Sequence, residues 1–290
     1  MESPRNDEGA GSGLRTGANL AKRVAVGVVA VPAIVFLAWV GGWAVVGLAS
    51  AIVVVGALEF YRMCRARGAR PFVRLGVLGG AGLCLAAHWG WTCLGLTLTL
   101  LVVLVLAAAL FRRAREEALT AASVTLMGLV WIGWLGSHLV LLRELPKSAG
   151  MVYTEGAAYL WLALALTWSA DTAAYGVGVV WGRHALFPRV SPRKSVEGAL
   201  GGLAGSLGFA WLARSWFAPF LGPVDVWILG LTVGVAAQAG DFVESMVKRE
   251  AGVKDASRVI PGHGGILDRF DSLLFCGPLV YVYLRYAVLR

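Results

Sequence analysis

The feature that most constrains this chain is a series of long apolar stretches. The clearest is "WAVVGLASAIVVVGALEFY", residues 43–61, which carries a single acid. The hydrocarbon core of a bilayer is about 30 Å thick, and an α-helix needs roughly 20 apolar residues to cross it. Hydrophobic residues make up 58% of the 290 residues and charged residues 15%, whereas soluble domains are about 45–50% apolar and about 25% charged. This composition excludes an ordinary soluble protein and indicates an integral membrane protein.

The apolar stretches predict an all-α fold, a polytopic membrane helical bundle of about nine transmembrane helices. We interpret the polar, Gly-rich residues 1–21 as a disordered tail and residues 22–290 as a single integral-membrane domain. Three glycines near helical spacing, Gly198, Gly202 and Gly205, would let two helices approach closely in lipid. The predicted spans are 24–40, 43–61, 75–91, 93–111, 121–142, 156–182, 198–216, 226–245 and 272–289.

Basic residues are divided unevenly between the two ends of these spans. If the N-terminus is cytoplasmic and all nine spans are real, 21 of the 26 Lys and Arg residues lie on the cytoplasmic side. Cytoplasmic loops of membrane proteins are enriched in Lys and Arg, so the asymmetry predicts this orientation. The same enrichment accounts for the net charge of +9 without any nucleic-acid partner.

Several carboxylates lie where a membrane makes them costly. Asp171 falls near the middle of the sixth span, and Asp241 and Glu244 lie near the cytoplasmic end of the eighth. An acid inside a membrane costs roughly 3 kcal/mol or more, so it usually faces a protein-lined cavity and has a function. We therefore interpret Asp171 and Asp241 as functional candidates. Glu59, at the end of the second span, has a simpler explanation, because it can reach the interface or pair with Arg62.

A charged segment, "SMVKREAGVKDASRVIPGHGGILDRFD", runs from Ser245 to Asp271, and nine of its 27 residues are charged. Asp241, Ser245 and Lys248 have the spacing of one helix face, and Glu244 could simply pair with Lys248. Two interpretations remain open. One is a mutual salt-bridge network, and the other is a phosphate site in which acids hold Mg²⁺ and bases hold phosphoryl oxygens. The paired glycines favour the second, because they let backbone amides approach an anion.

A second basic loop, "GRHALFPRVSPRKSVEG", spans residues 182–198 and faces the same side as the charged segment. Four of its residues are candidates for further phosphate contacts: Ser191, Arg193, Lys194 and Ser195. A basic patch that touches anionic lipid beside the membrane explains the same composition equally well.

The charged segment resembles the signature of the phosphatidate cytidylyltransferases, also called CDP-diacylglycerol synthases. That signature reads S-x-V-K-R-x4-K-D-x-S-x2-I-P-x-H-G-G-I-x-D-R-F-D, and this chain meets every fixed position. "SADTAAYGVG", "SPRKSVEG" and "LEFYRM" are similar to further motifs of the family, so the resemblance extends from about residue 22 to the C-terminus. The chain departs from the expected residues at three positions, with Ala173 in place of Gly, Arg193 in place of Lys and Ser195 in place of Thr.

The resemblance implies an enzyme of phospholipid biosynthesis that joins CTP and phosphatidate to give CDP-diacylglycerol and pyrophosphate, with Mg²⁺. It implies Asp241 and Asp268 as catalytic metal ligands. Our candidates for phosphate clamps are Lys248 and Arg249, which we also take as catalytic, and Arg269. For His263 two roles stay open, a hydrogen-bond donor to phosphate, which we favour, and a residue that shapes the loop. The candidate substrate-binding residues are Ser245, Lys254, Asp255, His263, Gly264, Gly265, Arg269, Ser191, Arg193, Lys194, Ser195 and Asp171.

The implied setting is the inner (plasma) membrane of a bacterium, with the polar active site facing the cytoplasm. CTP would reach the site from the cytoplasm, while the acyl chains of phosphatidate stay in the bilayer. The sequence does not decide whether a second cation binds, and small-residue faces permit a homodimer without requiring one.

Two other classes fit parts of the sequence. A secondary transporter or ion-coupled channel would use Asp171 and Asp241 to bind an ion, but such proteins carry two related halves, and no such repeat is evident here. A CDP-alcohol phosphotransferase would carry the motif D-x2-D-G-x2-A-R…G-x8-D-x3-D, which is absent from the sequence.

Overall fold

The computed structural model describes residues 27–112, 117–253, 255–257 and 264–289. Within these ranges the chain forms nine helices and one two-stranded hairpin. The helices are α1 (Gly27–Val40), α2 (Trp43–Ala66), α3 (Val73–His88), α4 (Trp91–Leu110), α5 (Ala118–Ala149), α6 (Glu155–Trp181), α7 (Val196–Trp216), α8 (Pro223–Ala251) and α9 (Leu267–Tyr283). The strands are β1 (Ala185–Phe187) and β2 (Ser191–Ser195), and π-helical turns occupy Leu129–Trp134 within α5 and Leu284–Val288 after α9.

Each predicted span overlaps one of these helices, which confirms the polytopic helical bundle. Five helices, α2, α4, α5, α7 and α8, are long and apolar enough to cross a membrane, while α1 and α3 are apolar but shorter. The protein is therefore a multi-pass membrane bundle, and the count of about nine spans stays a prediction. The proposed tail, residues 1–21, lies outside the described residues, and the single domain over 22–290 stays a prediction as well.

Contacts between loops show that successive helices run up and down. At one end, Arg112 after α4 donates to the carbonyl of Arg70 after α2, at 2.8 Å. At the other, the Gly42 amide before α2 donates to the Tyr153 hydroxyl before α6, at 2.7 Å. We call the end that holds Arg70, the β-hairpin and the end of α8 the hairpin end, and the opposite one the far end.

Glycines bring α6 and α7 into close contact. A Cβ added to Gly202 would lie 3.1 Å from the carbonyl oxygen of Ala170, and one on Gly205 would lie 2.9 Å from that of Ser169. Helices in membranes use small residues in this way, because backbone-to-backbone packing replaces the hydrophobic effect. The predicted role of these two glycines is confirmed, and the packing fixes the part of α6 that carries Asp171.

Helices α8 and α9 approach each other just as closely at Gly240. A Cβ there would lie 2.5 Å from the carbonyl oxygen of Asp271 and 3.0 Å from the Cα of Ser272. The residue that follows Gly240 is Asp241, so this contact brings an acid of α8 beside an acid of α9.

The β-hairpin was not predicted, because residues 182–198 were interpreted as a loop. Its strands pair antiparallel, with Ala185 opposite Ser195. Glu197 stabilises its base by accepting the backbone amides of Arg183 and His184 at 3.0 and 3.2 Å. The Ser195 hydroxyl accepts the Gly198 amide at 3.1 Å and so caps the start of α7.

Candidate active site

Three acids from two helices form a cluster at the hairpin end. Asp241 and Glu244 lie one turn apart on α8, Asp271 lies on α9, and one ligand oxygen from each is within 4.8 Å of the others. Glu244 is 1% exposed and Asp271 is 7% exposed, whereas the Asp241 side chain is 38% exposed. Carboxylate oxygens converging in this way suit a hard cation such as Mg²⁺, so the residues present fit the ion that was expected.

Asp268, the second predicted metal ligand, is engaged with protein donors beside this cluster. Its Oδ1 lies 2.7 Å from Nζ of Lys248, and its Oδ2 accepts the amides of Gly265 at 2.7 Å and Ala256 at 3.1 Å. Lys248 also pairs with Glu244, as its i, i+4 spacing predicted. The lysine therefore connects Asp268 to the cluster, and the joint metal role of Asp241 and Asp268 stays a prediction.

Asp171 of α6 faces the same group of acids. The Ser272 hydroxyl of α9 donates to its Oδ1 at 3.3 Å, and its charge lies close enough to that of Asp241 for the two to repel. The described ion pairs supply two lysines, Lys194 and Lys248, to this group of acids. The group has five carboxylates: Asp171, Asp241, Glu244, Asp268 and Asp271. Like charges held this close repel one another unless a carboxyl group keeps its proton or a cation offsets the charge. The cluster of Asp241, Glu244 and Asp271 could therefore hold a metal ion.

The hairpin closes over the exposed side of Asp241. Lys194 of β2 pairs with the Asp241 carboxylate, and its Nζ lies 4.2 Å from the centre of the Phe242 ring. Phe187 of β1 packs edge-on against the same ring, with the centroids 4.9 Å apart. Arg249 turns away from the acids and donates to the Val190 carbonyl at 3.3 Å. Of the two predicted phosphate clamps on α8, Lys248 thus lies among the acids and Arg249 lies at the hairpin.

The other predicted residues are distributed around this centre. The Ser245 hydroxyl lies 3.5 Å from Oδ1 of Asp241. Gly264 has a φ of +86°, which favours glycine, and Gly265 is buried. Lys254 and His263 lie outside the described residues. Ser191 is half-buried, and the exposed members of the set are Arg193, Asp255 and Arg269.

Glu59 of α2 has a different environment from the one expected. It is 0% exposed, and it accepts the amides of Ile266 at 3.0 Å and Leu267 at 2.8 Å. The Ser257 hydroxyl donates to the same carboxylate. The interpretation of Glu59 as an acid that reaches the interface or pairs with Arg62 is therefore wrong.

Sequence reasoning also missed two members of the acid cluster. Glu244 was considered only as a partner of Lys248, and Asp271 received no role. A usable signal was present, because residues 241 and 244 and residues 268 and 271 are both i, i+3 pairs of acids. Such pairs share a helix face, and two of them at neighbouring helix ends can converge.

Comparison with known proteins agrees with this geometry. The sequence model described as the cytidylyltransferase family matches residues 21–287, which include every acid and lysine of the site. The chain belongs to the cytidylyltransferase family. A relative from Synechocystis, named phosphatidate cytidylyltransferase, is 33% identical to this cytidylyltransferase over 263 residues, which are 84% of this chain and 89% of the relative.

Staphylococcal relatives match a shorter part of this cytidylyltransferase. Proteins of the same name from Staphylococcus aureus and Staphylococcus haemolyticus are 47% and 42% identical over 134 residues, which are 45% of this chain and 50% of each relative. Family membership makes the protein a nucleotidyltransferase. The comparisons give no support to the transporter or channel alternative.

Proposed function

We propose that this membrane cytidylyltransferase joins CTP and phosphatidate to give CDP-diacylglycerol and pyrophosphate in a Mg²⁺-dependent reaction. One observation carries the proposal. Acids and lysines of α8, α9 and the hairpin converge at one end of a membrane bundle. The family of this chain is named for cytidylyl transfer, and its relatives are named phosphatidate cytidylyltransferase.

The reaction needs charge neutralisation more than proton transfer. An oxygen of the phosphatidate phosphate attacks the α-phosphorus of CTP, the bond to the β-phosphate breaks, and pyrophosphate leaves. The attacking oxygen is already anionic at neutral pH, so no strong general base is required. The main barrier is the approach of two polyanions, which fixed positive charges lower by stabilising the crowded phosphoryl oxygens.

Asp241 is the acid that we assign most directly to metal binding. It belongs both to the ligand pair predicted with Asp268 and to the cluster with Glu244 and Asp271. A bound Mg²⁺ would supply positive charge to the phosphoryl oxygens of CTP and orient them. The carboxylates of Asp241, Glu244 and Asp271 would hold that ion at the junction of α8 and α9.

The two lysines are our candidates for direct phosphate contacts. Lys248 and Lys194 are both paired with carboxylates at the site, so each can exchange a carboxylate partner for a phosphate oxygen as substrate arrives. The exposed Arg193 of the hairpin and Arg249 at its turn lie further out, where they would attract the anionic nucleotide.

We place the hairpin end in the cytoplasm, with the N-terminus on the same side, in a bacterial inner membrane. The basic asymmetry of the sequence supports this orientation. It gives CTP direct access to the acids while the acyl chains of phosphatidate remain in lipid. A homodimer stays a prediction.

The direct test uses purified protein in detergent with phosphatidate, radiolabelled CTP and Mg²⁺. We expect labelled CDP-diacylglycerol and an equal amount of pyrophosphate, and no product when diacylglycerol, which lacks the attacking phosphate, replaces phosphatidate. Chelation of divalent cations should stop the reaction. A failure to form product under conditions where a control synthase works would overturn the proposal.

A further inference from the structure

We propose that Glu59 is a positioning residue, which holds the start of α9 and its acids in place from the distant helix α2. The inference rests on the proposed function, because Asp268 and Asp271 are assigned to the reaction there. Among the described residues, Glu59 accepts hydrogen bonds from Ser257, Ile266 and Leu267, and none of these three is a candidate for substrate binding.

The contacts of Glu59 lie on a single short stretch of chain. Its Oε1 accepts the Ile266 amide at 3.0 Å and its Oε2 accepts the Leu267 amide at 2.8 Å. The Ser257 hydroxyl donates to Oε1 as well. These donors lie about 200 residues from Glu59 in the sequence, at 198, 207 and 208 residues. One side chain of α2 therefore holds both sides of the loop that precedes α9.

The position suits an anion. The first amides of a helix have no partners within the helix, and its N-terminus carries a partial positive charge that a carboxylate stabilises. Ile266 and Leu267 stand at this N-terminus, and Glu59 is completely buried against them. Burial of a carboxylate without such donors would be costly. The Glu59 carboxylate therefore needs the amides at the start of α9, and those amides need an acceptor.

Glu59 also explains the need for a glycine at position 265. A Cβ on Gly265 would lie 2.6 Å from Oε2 of Glu59, so any larger residue would displace the carboxylate. The Gly265 amide meanwhile donates to Asp268 at 2.7 Å. Neighbouring amides thus divide between two acids, with Gly265 bound by Asp268 and the next two residues bound by Glu59.

This division has a consequence for the reaction. Glu59 holds the start of α9 from α2 by accepting the amides of Ile266 and Leu267. The side chain of Asp268 then accepts only the Gly265 amide among the backbone amides at this helix start. Without Glu59, the unpartnered amides would compete for Asp268, and the loop would lose its attachment to α2. Misplacement of reacting groups by about 1 Å can cost roughly 100-fold in rate.

The test replaces Glu59 with Gln, which keeps the size and removes the charge. We expect turnover at saturating CTP and phosphatidate to fall roughly 10- to 100-fold, with a smaller change in KM for either substrate. Hydrogen exchange at the amides of residues 265–267 should become faster. Glu59→Asp, which keeps the charge, should recover part of the turnover.

Glu144→Gln is the matched control, because it also removes a buried carboxylate that accepts a hydrogen bond. Glu144 is 4% exposed and accepts the Tyr153 hydroxyl at 2.8 Å, at the far end of the bundle. We expect this variant to lower the melting temperature and leave turnover of the folded protein near normal. If Glu59→Gln behaves the same way, Glu59 is only structural and the inference is wrong.

Ser257→Ala provides a second test in case Glu59→Gln folds poorly. It removes one donor to the carboxylate, so it should lower turnover less than Glu59→Gln and add little to it in the double variant. Normal turnover and unchanged exchange at residues 265–267 in this variant would contradict the inference. An inactive wild-type protein would instead contradict the proposed function, so the two failures are distinguishable.

A separate observation carries a second proposal. A cavity of about 480 Å³ lies at the hairpin end between α2, α5 and α8, on the face of α8 turned away from the acid cluster. Its walls include Met63, Val124, Met127 and Met246, and its rim includes Arg67 and Arg70. We infer that it takes an acyl chain of an anionic phospholipid whose phosphate meets the rim arginines.

Charge favours this occupant over a neutral lipid. Five exposed arginines lie within thirteen residues, from the end of α2 to the first turn of α3: Arg62, Arg65, Arg67, Arg70 and Arg74. Glu117 pairs with Arg70 at 3.4 Å and offsets part of this charge. Basic pockets between transmembrane helices at the cytoplasmic surface are suited to anionic head groups, and flexible methionines adapt to an alkyl chain.

Melting temperatures in lipid nanodiscs test this site. Phosphatidylglycerol should stabilise the wild-type protein more than phosphatidylcholine does. Val124→Trp, which fills the cavity, and Arg67→Gln, which removes a rim charge, should abolish the difference. Leu119→Trp adds the same side chain to the same helix at a position 77% exposed and outside the cavity, so it should retain the difference. Equal stabilisation of the wild type by both lipids, or an unaltered difference in Val124→Trp, would overturn the proposal.

Discussion

Nζ of Lys248 lies 2.7 Å from Oδ1 of Asp268, and the same ammonium group pairs with Glu244 one turn earlier on α8. A single lysine, with a side chain 14% exposed, therefore joins Asp268 in the first turn of α9 to the buried acid cluster. An ammonium group bound by two carboxylates is held in place before substrate arrives. The arrangement also makes Asp268 both a structural partner and a catalytic candidate, and substitutions can separate these roles.

Asp241→Asn and Asp268→Asn should each lower turnover by at least about 100-fold, the scale of losing one electrostatic contact to a transition state. Asp268→Asn should also lower the melting temperature more, because its side chain is 8% exposed and accepts three donors, while that of Asp241 is 38% exposed. Breaking a buried ion pair costs roughly 3–5 kcal/mol.

The two losses should not add in the double variant if both acids serve one metal centre. Turnover and thermal unfolding measured on the same samples decide the matter. Asn variants that melt earlier but keep near-normal turnover and an unchanged Mg²⁺ dependence would show a purely structural ion pair.

Asp271→Asn and Glu244→Gln should raise the Mg²⁺ concentration needed for half-maximal activity, because each removes a charged oxygen from the three-acid cluster. Glu250→Gln is the control, since Glu250 is an exposed acid on the same helix outside the cluster. Titration of activity with Mg²⁺ is the measurement. An unchanged Mg²⁺ requirement in Asp271→Asn, alongside a shifted one in Asp268→Asn, would favour the ligand pair that the sequence predicted.

Lys194→Gln should raise KM for CTP about tenfold or more, because it removes the cation that the hairpin brings to Asp241. Its effect on stability should be small, since both partners are partly exposed and such pairs contribute about 1 kcal/mol or less. Arg193→Gln, an exposed neighbour on the same strand, is the matched control and should change KM less. Equal effects from both variants would mean that only general positive charge matters.

Gly240→Ala should lower activity without removing any polar group. The added methyl would lie 2.5 Å from the Asp271 carbonyl oxygen, so α9 must move away from α8 and carry its acids with it. Gly208→Ala on α7 is the control, because a Cβ there meets nothing within 4 Å. Alanine in a helix is favoured over glycine by up to about 1 kcal/mol, so the control should be neutral or stabilised. Normal turnover in Gly240→Ala would show that this close approach does not position the acids.

Cysteine labelling tests the orientation of the bundle in a background without the four native cysteines. A cysteine at Asp255, exposed near the site, should react from the cytoplasmic side. One at Val152, which is 64% exposed at the far end, should react only from the outside. Membrane-impermeant reagents on intact and permeabilised cells distinguish the two. Labelling of both positions from the same side would contradict the up-and-down arrangement in the membrane.

The sequence by itself determined the class of fold and the family. Long apolar stretches can be stable in lipid only as helices, because every backbone hydrogen bond must be made within the segment. The spacing of Asp241, Ser245 and Lys248 placed them on one face of α8, and the Glu244–Lys248 pair followed from the same periodicity. The segment with Asp268, Lys248 and the paired glycines indicated a phosphate site, and its resemblance indicated the family that the comparisons confirm.

Only the tertiary structure decided which of these acids meet. Helical periodicity specifies which residues share a face, but it does not specify which helix that face contacts or how closely. The approach of α8 to α9 at Gly240 brings Asp271 to Asp241, and the docking of α2 brings Glu59 to amides more than 200 residues away. The hairpin likewise depends on contacts that helical periodicity does not specify. Glu197 accepts the Arg183 amide at its base, and Phe187 of β1 packs against Phe242 of α8. Local sequence specifies the helices, whereas long-range packing selects the partners of their polar side chains.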